Sequence, residues 1–152
     1  MMKVRSFHAG DEDAVKQLIS SILNKEFQLE KKIYSDTDLD MISEVYSGER
    51  NAFLIGEVDH HIVGTVAVKE DDRHTALLRR LYVDPAHRGK NYGSRLLEEA
   101  LVFCREKGYK KVVFRGTVSM SVALRLIQKK GFWETERIHF GEIEMVLFSL
   151  LL

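Results

Sequence analysis

The sequence predicts a mixed α/β fold in a single domain that spans residues 1–152. A chain of 152 residues, 45% of them hydrophobic, is long enough for one well-buried core and too short for two ordinary domains. Segments that alternate like strands are interleaved with segments that carry apolar side chains at helical spacing. Between residues 75 and 115 a strand, a helix and a strand follow one another, which is typical of a parallel βαβ crossover.

The first third of the chain predicts one strand and two helices. Residues 2–7 alternate like a short strand, and the acidic run 11–13 opens a helix. A second helix is expected at 36–46, where Ser35 and Asp38 have the spacing of a capping box. The apolar stripes of the two helices are Val15, Leu18, Ile19, Ile22 and Leu23, then Leu39, Ile42 and Val45.

The remaining two thirds predict the main part of the sheet, interrupted by two helices. Short polar breaks between the middle strands suit antiparallel hairpins. The expected strands are 51–58, 62–69, 75–83, 110–116, 132–138 and 142–150, and the expected helices are 94–107 and 119–130. The complete order is therefore β-α-α-β-β-β-α-β-α-β-β.

Composition and charge restrict the classes of partner. Lys plus Arg and Asp plus Glu both number 23, so the formal charge is zero and neither a nucleic-acid nor a membrane partner is expected. The single cysteine, Cys104, excludes an internal disulfide, and no apolar run has the length of a signal peptide or a membrane span. We therefore expect a cytoplasmic protein. The apolar end Leu150-Leu151-Leu152 is a candidate contact with a second copy, in a homodimer.

The stretch LYVDPAHRGKNYGSRLL, residues 81–97, contains the features of an anion-binding turn. It lies where a strand hands over to a helix, which is where ligands bind in open α/β sheets. Gly89 and Gly93 lack Cβ atoms, and Asn91 tolerates a left-handed backbone. Unpaired N–H groups at the start of the following helix favour a phosphate, and Arg88 and Lys90 add positive charge. The turn can therefore hold a diphosphate.

The same residues also permit a plain structural interpretation. Asp84-Pro85 is a common turn pair, and Arg88, Lys90 and Arg95 are then solvated charges. Turn chemistry alone does not decide between the two interpretations. The chain has neither the GxxxxGKS/T nor the GxGxxG loop, so a nucleoside triphosphatase or a dinucleotide-binding unit is not supported.

Residues 81–93 resemble the cofactor signature of the GNAT N-acetyltransferases, which transfer an acetyl group from acetyl-coenzyme A to an amine. The family motif R/Q-x-x-G-x-G/A follows a strand that often ends like LYVxP, and here RGKNYG follows LYVDP. The pattern from Ala123 to Gly131-Phe132 is similar to a second family motif, and the predicted order of elements is similar to that fold. The last region, from Glu136 to Gly141, resembles family domains also found fused to MarR-type regulators.

The resemblance implies a GNAT-like acyl-CoA N-acyltransferase fold that uses acetyl-CoA as cosubstrate and no metal. It implies that a primary amine of a small molecule, peptide or protein attacks the thioester directly in a ternary complex. The backbone N–H of Val83 would donate to the thioester oxygen. The implied cofactor-binding residues are Leu81, Tyr82, Val83, Arg88, Gly89, Lys90, Asn91, Tyr92, Gly93 and Ser94.

Three positions depart from the family pattern. Asn91 replaces a glycine, and Met120 and Ile127 stand where the family often has an asparagine and the tyrosine that protonates the departing thiolate. His139 and Glu136, expected in the loop between the last two strands, are the candidate bases, and their alternative is a role as solvated loop residues. The missing tyrosine leaves two hypotheses open: an N-acetyltransferase, or a CoA-binding sensor or interaction module with weak chemistry.

Overall fold

The computed structural model describes residues 1–33 and 37–152. The strands within this part of the chain are β1 (Lys3–Ser6), β2 (Ala52–Val58), β3 (His61–Glu70), β4 (Thr75–Val83), β5 (Lys111–Thr117), β6 (Trp133–Phe140) and β7 (Ile143–Leu151). The helices are α1 (Glu12–Glu26), α2 (Gln28–Ile33), α3 (Ile42–Val45), α4 (Tyr92–Glu106) and α5 (Ser121–Lys129). The strands join in one mixed sheet in the order β1-β2-β3-β4-β5-β7-β6.

The predicted parallel crossover is confirmed. Strand β4 pairs with β5 in parallel from Thr75 opposite Lys111 to Leu78 opposite Phe114, and α4 connects the two strands. The other neighbouring strands pair antiparallel. The mixed α/β sheet expected from the sequence is therefore present.

Helices cover the sheet on both faces. Side chains of α4 such as Leu97 and Leu101 pack on Val66 and Leu78 in one core, to which α5 contributes the buried Ile127. A second core joins α1 and α3 to the opposite face, where Ala67 lies next to Val66 in β3 but points the other way. The sheet is therefore fixed between two helical layers, α4 and α5 on one side and α1 and α3 on the other.

The helix expected at 36–46 is wrong in extent. Among the described residues of this segment, only α3 is helical, and the chain from Thr37 to Asp40 forms a turn. The short helix α2 was not predicted by the sequence pattern. Ser35 lies outside the described residues. Asp38 does not cap a helix, because its carboxylate is buried and accepts hydrogen bonds from Arg80 and Tyr46.

A β-bulge in β4 separates this strand from β5. Thr65 of β3 pairs with Tyr82, and Ala67, two residues on, pairs with Arg79, so β4 contains one extra residue at this point. Arg80 in the bulge has a left-handed backbone with φ of 53°. A bulge bends its strand and increases its twist, and the parallel pairing with β5 ends at Leu78. Beyond Leu78, β4 therefore separates from β5.

The C-terminal leucines form a smaller exposed patch than the sequence suggested. The side chain of Leu150 packs against the core under α4, and Leu152 is half-buried. Leu151 is 64% exposed. None of the described helices is long and apolar enough to cross a membrane.

Candidate active site

A cleft of about 940 Å³ opens where β4 and β5 separate. One wall is the end of β4 from Leu81 to Val83, and the other includes Val113 and Arg115 of β5. The end of α1 and the turn before α4 close its sides. The geometry of the sheet therefore places the predicted cofactor strand and the predicted cofactor turn on the same cavity.

The turn that follows β4 has the conformation expected of an anion-binding loop. Asp84 starts it by accepting a hydrogen bond from the N–H of Ala86 at 3.0 Å. Gly89 has φ of 80°, and Asn91, which directly precedes α4, has φ of 64° and ψ of 19°. The prediction that Asn91 keeps the left-handed conformation is confirmed. The first N–H groups of α4 follow at once and have no partner within the helix.

Gly93 has a packing role that the sequence did not show. It lies in the first turn of α4, where a Cβ atom would come within 3.1 Å of a methyl carbon of Leu126 on α5. The glycine therefore allows the start of α4 to approach α5 closely. A larger side chain here would disturb the packing of the two helices as well as the cleft that Gly93 lines.

Most of the predicted cofactor residues line the cleft. They are Leu81, Tyr82, Val83, Arg88, Gly89, Asn91, Tyr92, Gly93 and Ser94. Lys90 belongs to the same turn but is exposed and does not line the cavity. Arg88 is turned toward α1, where its guanidinium pairs with both carboxylate oxygens of Glu26 at 2.8 and 2.9 Å.

The two candidate bases lie away from this cavity. Glu136 and His139 were expected in a loop, but both belong to β6, because the strand continues to Phe140 before the turn at Gly141. Both are exposed, and β7 lies between β6 and β5 in the sheet. Neither residue lines the cleft. Their role as bases stays a prediction.

The backbone N–H and the carbonyl of Val83 face the cleft rather than β3. The N–H of Asp84 donates to the carbonyl of Val63 at 2.7 Å, and Val83 lies opposite Gly64. Bonded and non-bonded pairs alternate along an antiparallel ladder, so Val83 is at a position that does not bond to β3. Its carbonyl accepts a hydrogen bond from Nε of Arg88 at 3.1 Å. The amide N–H at this position therefore points to the side where β5 has separated.

Positive charge collects around the cleft although the whole chain is neutral. The charged residues that line it are Arg79, Arg80, Arg88, Arg115, Arg125, Lys129 and one acid, Glu26. Carboxylates already pair with Arg80 and Arg88. Arg115, Arg125 and Lys129 make no ion pair with any residue that the structure describes. The cleft therefore has cations available for an anionic ligand.

A buried ion pair fixes the bulge of β4. The guanidinium of Arg80 donates to both carboxylate oxygens of Asp38, at 2.5 and 3.0 Å, and the hydroxyl of Tyr46 donates to Asp38 at 2.8 Å. Burial acts to raise the pKa of Asp38, but the hydrogen bonds and charge of Arg80 outweigh it and hold this pKa below its usual value. The sequence suggested Asp38 as a helix cap, and no pattern in it pairs residues 38 and 80.

A second buried acid, Glu30, lies behind the β5 wall of the cleft. Its carboxylate accepts hydrogen bonds from the hydroxyl of Ser119 at 2.6 Å and of Thr117 at 3.4 Å. Glu30 is 6% exposed, and Ser119 lines the cleft. Sequence reasoning missed Glu30, because it belongs to the unpredicted helix α2.

The remaining sequence candidates divide between the cleft and the core. Met120 lines the cleft, whereas Ile127, where the family resemblance implies a tyrosine, is fully buried in the core. Cys104 is also fully buried, and burial raises its pKa to about 12, so it is a core residue and not a nucleophile. The described residues contain no group of three or more metal-ligating side chains that could hold an ion.

Comparison with known proteins places these features in a family. The sequence model of the Acetyltransferase (GNAT) family matches residues 16–132. N-acetyltransferase 8 from Homo sapiens is 32% identical over 111 residues, which cover 68% of this chain and 48% of that protein. The chain thus spans about half the length of this relative.

Solved structures share the fold at low sequence identity. An acetyltransferase from Streptococcus agalactiae has a TM-score of 0.88 at 21% identity, covering 99% of this chain and 98% of that one. The yncA protein from Salmonella typhimurium, solved with its cofactor acetyl-CoA, has a TM-score of 0.81 at 20% identity, covering 99% and 93%. Since the family match includes both walls of the cleft and the turn before α4, the chain belongs to the GNAT acetyltransferase family.

Proposed function

We propose that this protein transfers the acetyl group of acetyl-CoA to a primary amine by direct attack in a ternary complex. The observation that supports it most strongly is the cleft between β4 and β5. One cavity of about 940 Å³ is lined by the left-handed turn before α4 and by Val83, whose amide faces the cleft. The acceptor is an amine of a small molecule, a peptide or a protein.

The residues of the cleft fit acetyl-CoA. The turn from Gly89 to Ser94 exposes backbone N–H groups at the start of α4, which suit a pyrophosphate. Charged side chains such as Arg125 and Lys129 can add hydrogen bonds of about 1.5 to 3 kcal/mol each. The end of β4 offers a free strand edge for the extended pantetheine arm. Acetyl-CoA supplies the acetyl group as an activated thioester.

Residues of the chain position and polarise the reacting groups. The amide of Val83 donates a hydrogen bond to the carbonyl oxygen on which negative charge develops, a contact that strengthens as the amine attacks. Arg88 donates to the Val83 carbonyl, which belongs to the next peptide group, and is itself held by Glu26. The backbone directly after the donor is therefore anchored before any substrate binds.

The reaction requires two proton transfers: the leaving thiolate gains a proton, and the attacking amine loses one. A thiol with a pKa of about 8.5 leaves readily as a thiolate near neutral pH. The presence of isoleucine instead of tyrosine at position 127 therefore does not prevent turnover. An alkyl amine with a pKa of about 10.4 must first lose a proton, which costs about 4.6 kcal/mol at pH 7. The cleft must therefore contain a base or remove the charge of the amine by desolvation.

Release of coenzyme A in the presence of amines tests this function. We expect amine-dependent thiol release with L-lysine amide, a short peptide with a free N-terminus, spermidine or tyramine. Mass spectrometry should show a product heavier by one acetyl group. Thiol release without acetylated amine would be hydrolysis and would contradict the proposal.

One observation favours a second function, a CoA-binding sensor. The family resemblance implies a tyrosine that acts as a general acid at position 127, but Ile127 is fully buried and does not line the cleft. A sensor would bind acetyl-CoA in calorimetry but acetylate no amine of the panel. The two functions are thus separated by one pair of measurements.

A further inference from the structure

The carboxylate of Glu30 is buried, and no cationic side chain of the described residues pairs with it. Its hydrogen bonds are those from Ser119 and Thr117, and it forms no ion pair with any residue of the described chain. Only 6% of the residue is exposed. Burial of an unpaired carboxylate costs several kcal/mol unless a cation or a proton neutralises it. By contrast, the buried Asp38 is neutralised by Arg80.

Ser119 connects this buried carboxylate to the cleft. Its hydroxyl donates to Oε1 of Glu30 at 2.6 Å, while the residue itself is exposed and lines the cavity. Thr117 lies two residues after Arg115 on β5, so its side chain is on the same face of the sheet as Arg115, which also lines the cavity. A hydrogen-bonded path therefore runs from the open cleft to Glu30.

We propose that Glu30, acting through Ser119, takes the proton of the acceptor ammonium. The inference rests on the proposed acetyl transfer and identifies the acceptor as an amine that binds in its protonated, cationic form. The cationic amine would supply the positive charge that no described residue provides to Glu30. Glu30 is a positioning residue and proton acceptor, and Ser119 is the group that touches the amine.

The proton balance of the step is complete. The ammonium gives one proton to the Ser119 oxygen as Ser119 passes its own proton to Glu30, leaving a neutral amine and a neutral carboxylic acid. The amine nitrogen then forms a bond to the acetyl carbon, and the carbon–sulfur bond breaks. The amide nitrogen loses its extra proton to the thiolate, giving an N-acetyl product and coenzyme A. Glu30 finally returns its proton to solvent.

The Glu30→Gln variant tests the proposal, because glutamine keeps the size of the side chain and still accepts from Ser119. At pH 7 we expect kcat/KM for the best amine of the panel to fall by about 10² or more. The variant should bind acetyl-CoA with unchanged affinity. Glu99→Gln, an exposed change on α4 outside the cleft, is the matched control and should leave the rate unchanged.

The pH profile separates a base from a structural residue. Without its base, the variant depends on the free amine, so its rate should rise about tenfold per pH unit toward the amine pKa of about 10.4. The difference from the wild-type protein should therefore shrink as the pH rises. Ser119→Ala, a change at an exposed position, should show the same recovery even if Glu30→Gln folds poorly.

Three outcomes would overturn the proposal. Rates of both variants within threefold of the wild-type rate at all pH values would exclude the proton path. An equal loss at every pH, accompanied by a lower Tm, would show that Glu30 only docks α2 onto β5. Acetyl-CoA binding without acetylation of any amine by the wild-type protein would overturn the proposed function itself, and this inference with it.

Discussion

Asn91 sets the direction in which the chain enters α4. Its backbone is left-handed, with φ of 64°, at a position where the family pattern has glycine. Asparagine reaches this conformation at a small cost, whereas most other side chains pay about 1 to 2 kcal/mol. The N–H groups that follow keep their orientation toward the cleft as long as this one residue holds its φ.

Two variants of Asn91 test that role. Asn91→Gly should keep the affinity for coenzyme A, because glycine adopts the same backbone freely. Asn91→Val should weaken binding about 5- to 30-fold, the equivalent of about 1 to 2 kcal/mol of backbone strain. Calorimetry with coenzyme A measures both. Equal affinities of the valine variant and the wild-type protein would contradict a dependence on the left-handed turn.

The bulge in β4 creates the cleft, and the Asp38–Arg80 ion pair holds the bulge in place. The pair ties the chain before α3 to β4, with both side chains 6% exposed. The bulge also brings the side chain of Arg79 to the face of Asp38, 3.8 Å from its carboxylate. The separation of β4 from β5 is therefore supported by a buried polar contact as well as by the twist of the sheet.

Removal of the buried carboxylate should destabilise the fold. Asp38→Asn removes the carboxylate that forms a buried ion pair with Arg80, so we expect the free energy of unfolding to fall by about 3 to 5 kcal/mol at pH 7. Urea unfolding measures this. Asp40→Asn, which removes an exposed partner of Lys16, is the control and should have a much smaller effect. A loss below about 1 kcal/mol for Asp38→Asn would contradict the role of the pair.

At acidic pH, the difference in the free energy of unfolding between the wild-type protein and Asp38→Asn should become smaller. The pKa of Asp38 is lower in the folded protein than in the unfolded chain, where it is about 3.9. The stability due to Asp38 is therefore present above this value and is lost as the pH falls below it toward the folded pKa. Thermal melts between pH 7 and 3 should show the two curves converging.

The elements were predictable where local pattern decides the structure. Strand β4 has the predicted bounds of 75–83, and the predicted helix at 94–107 begins and ends within two residues of α4, because alternation, helical spacing and Gly108 mark them. The helix at 36–46 was not predictable in extent, because Asp38 serves a contact 42 residues away that no local spacing encodes. The same holds for Glu30, whose partners follow it by almost ninety residues.

For the whole molecule, the formal charge is zero, yet cationic side chains surround the cleft. Arg115, Arg125 and Lys129 among them have no ion-pair partner in the described chain. The sequence indicated the cofactor turn because its residues are contiguous. The rest of the cleft is lined by residues of α1, the bulge and the end of β5, and these residues could not be grouped before the fold was known.

We propose that acetyl-CoA lies in the cleft between β4 and β5, with its pyrophosphate on the turn before α4 and its thioester at Val83. Titration of acetyl-CoA into ¹⁵N-labelled protein, followed through the backbone amide resonances, tests it most directly. The largest shifts should fall on the amides from Gly89 to Ser94 and on Val83. Shifts concentrated outside the cleft, or none at millimolar acetyl-CoA, would contradict it.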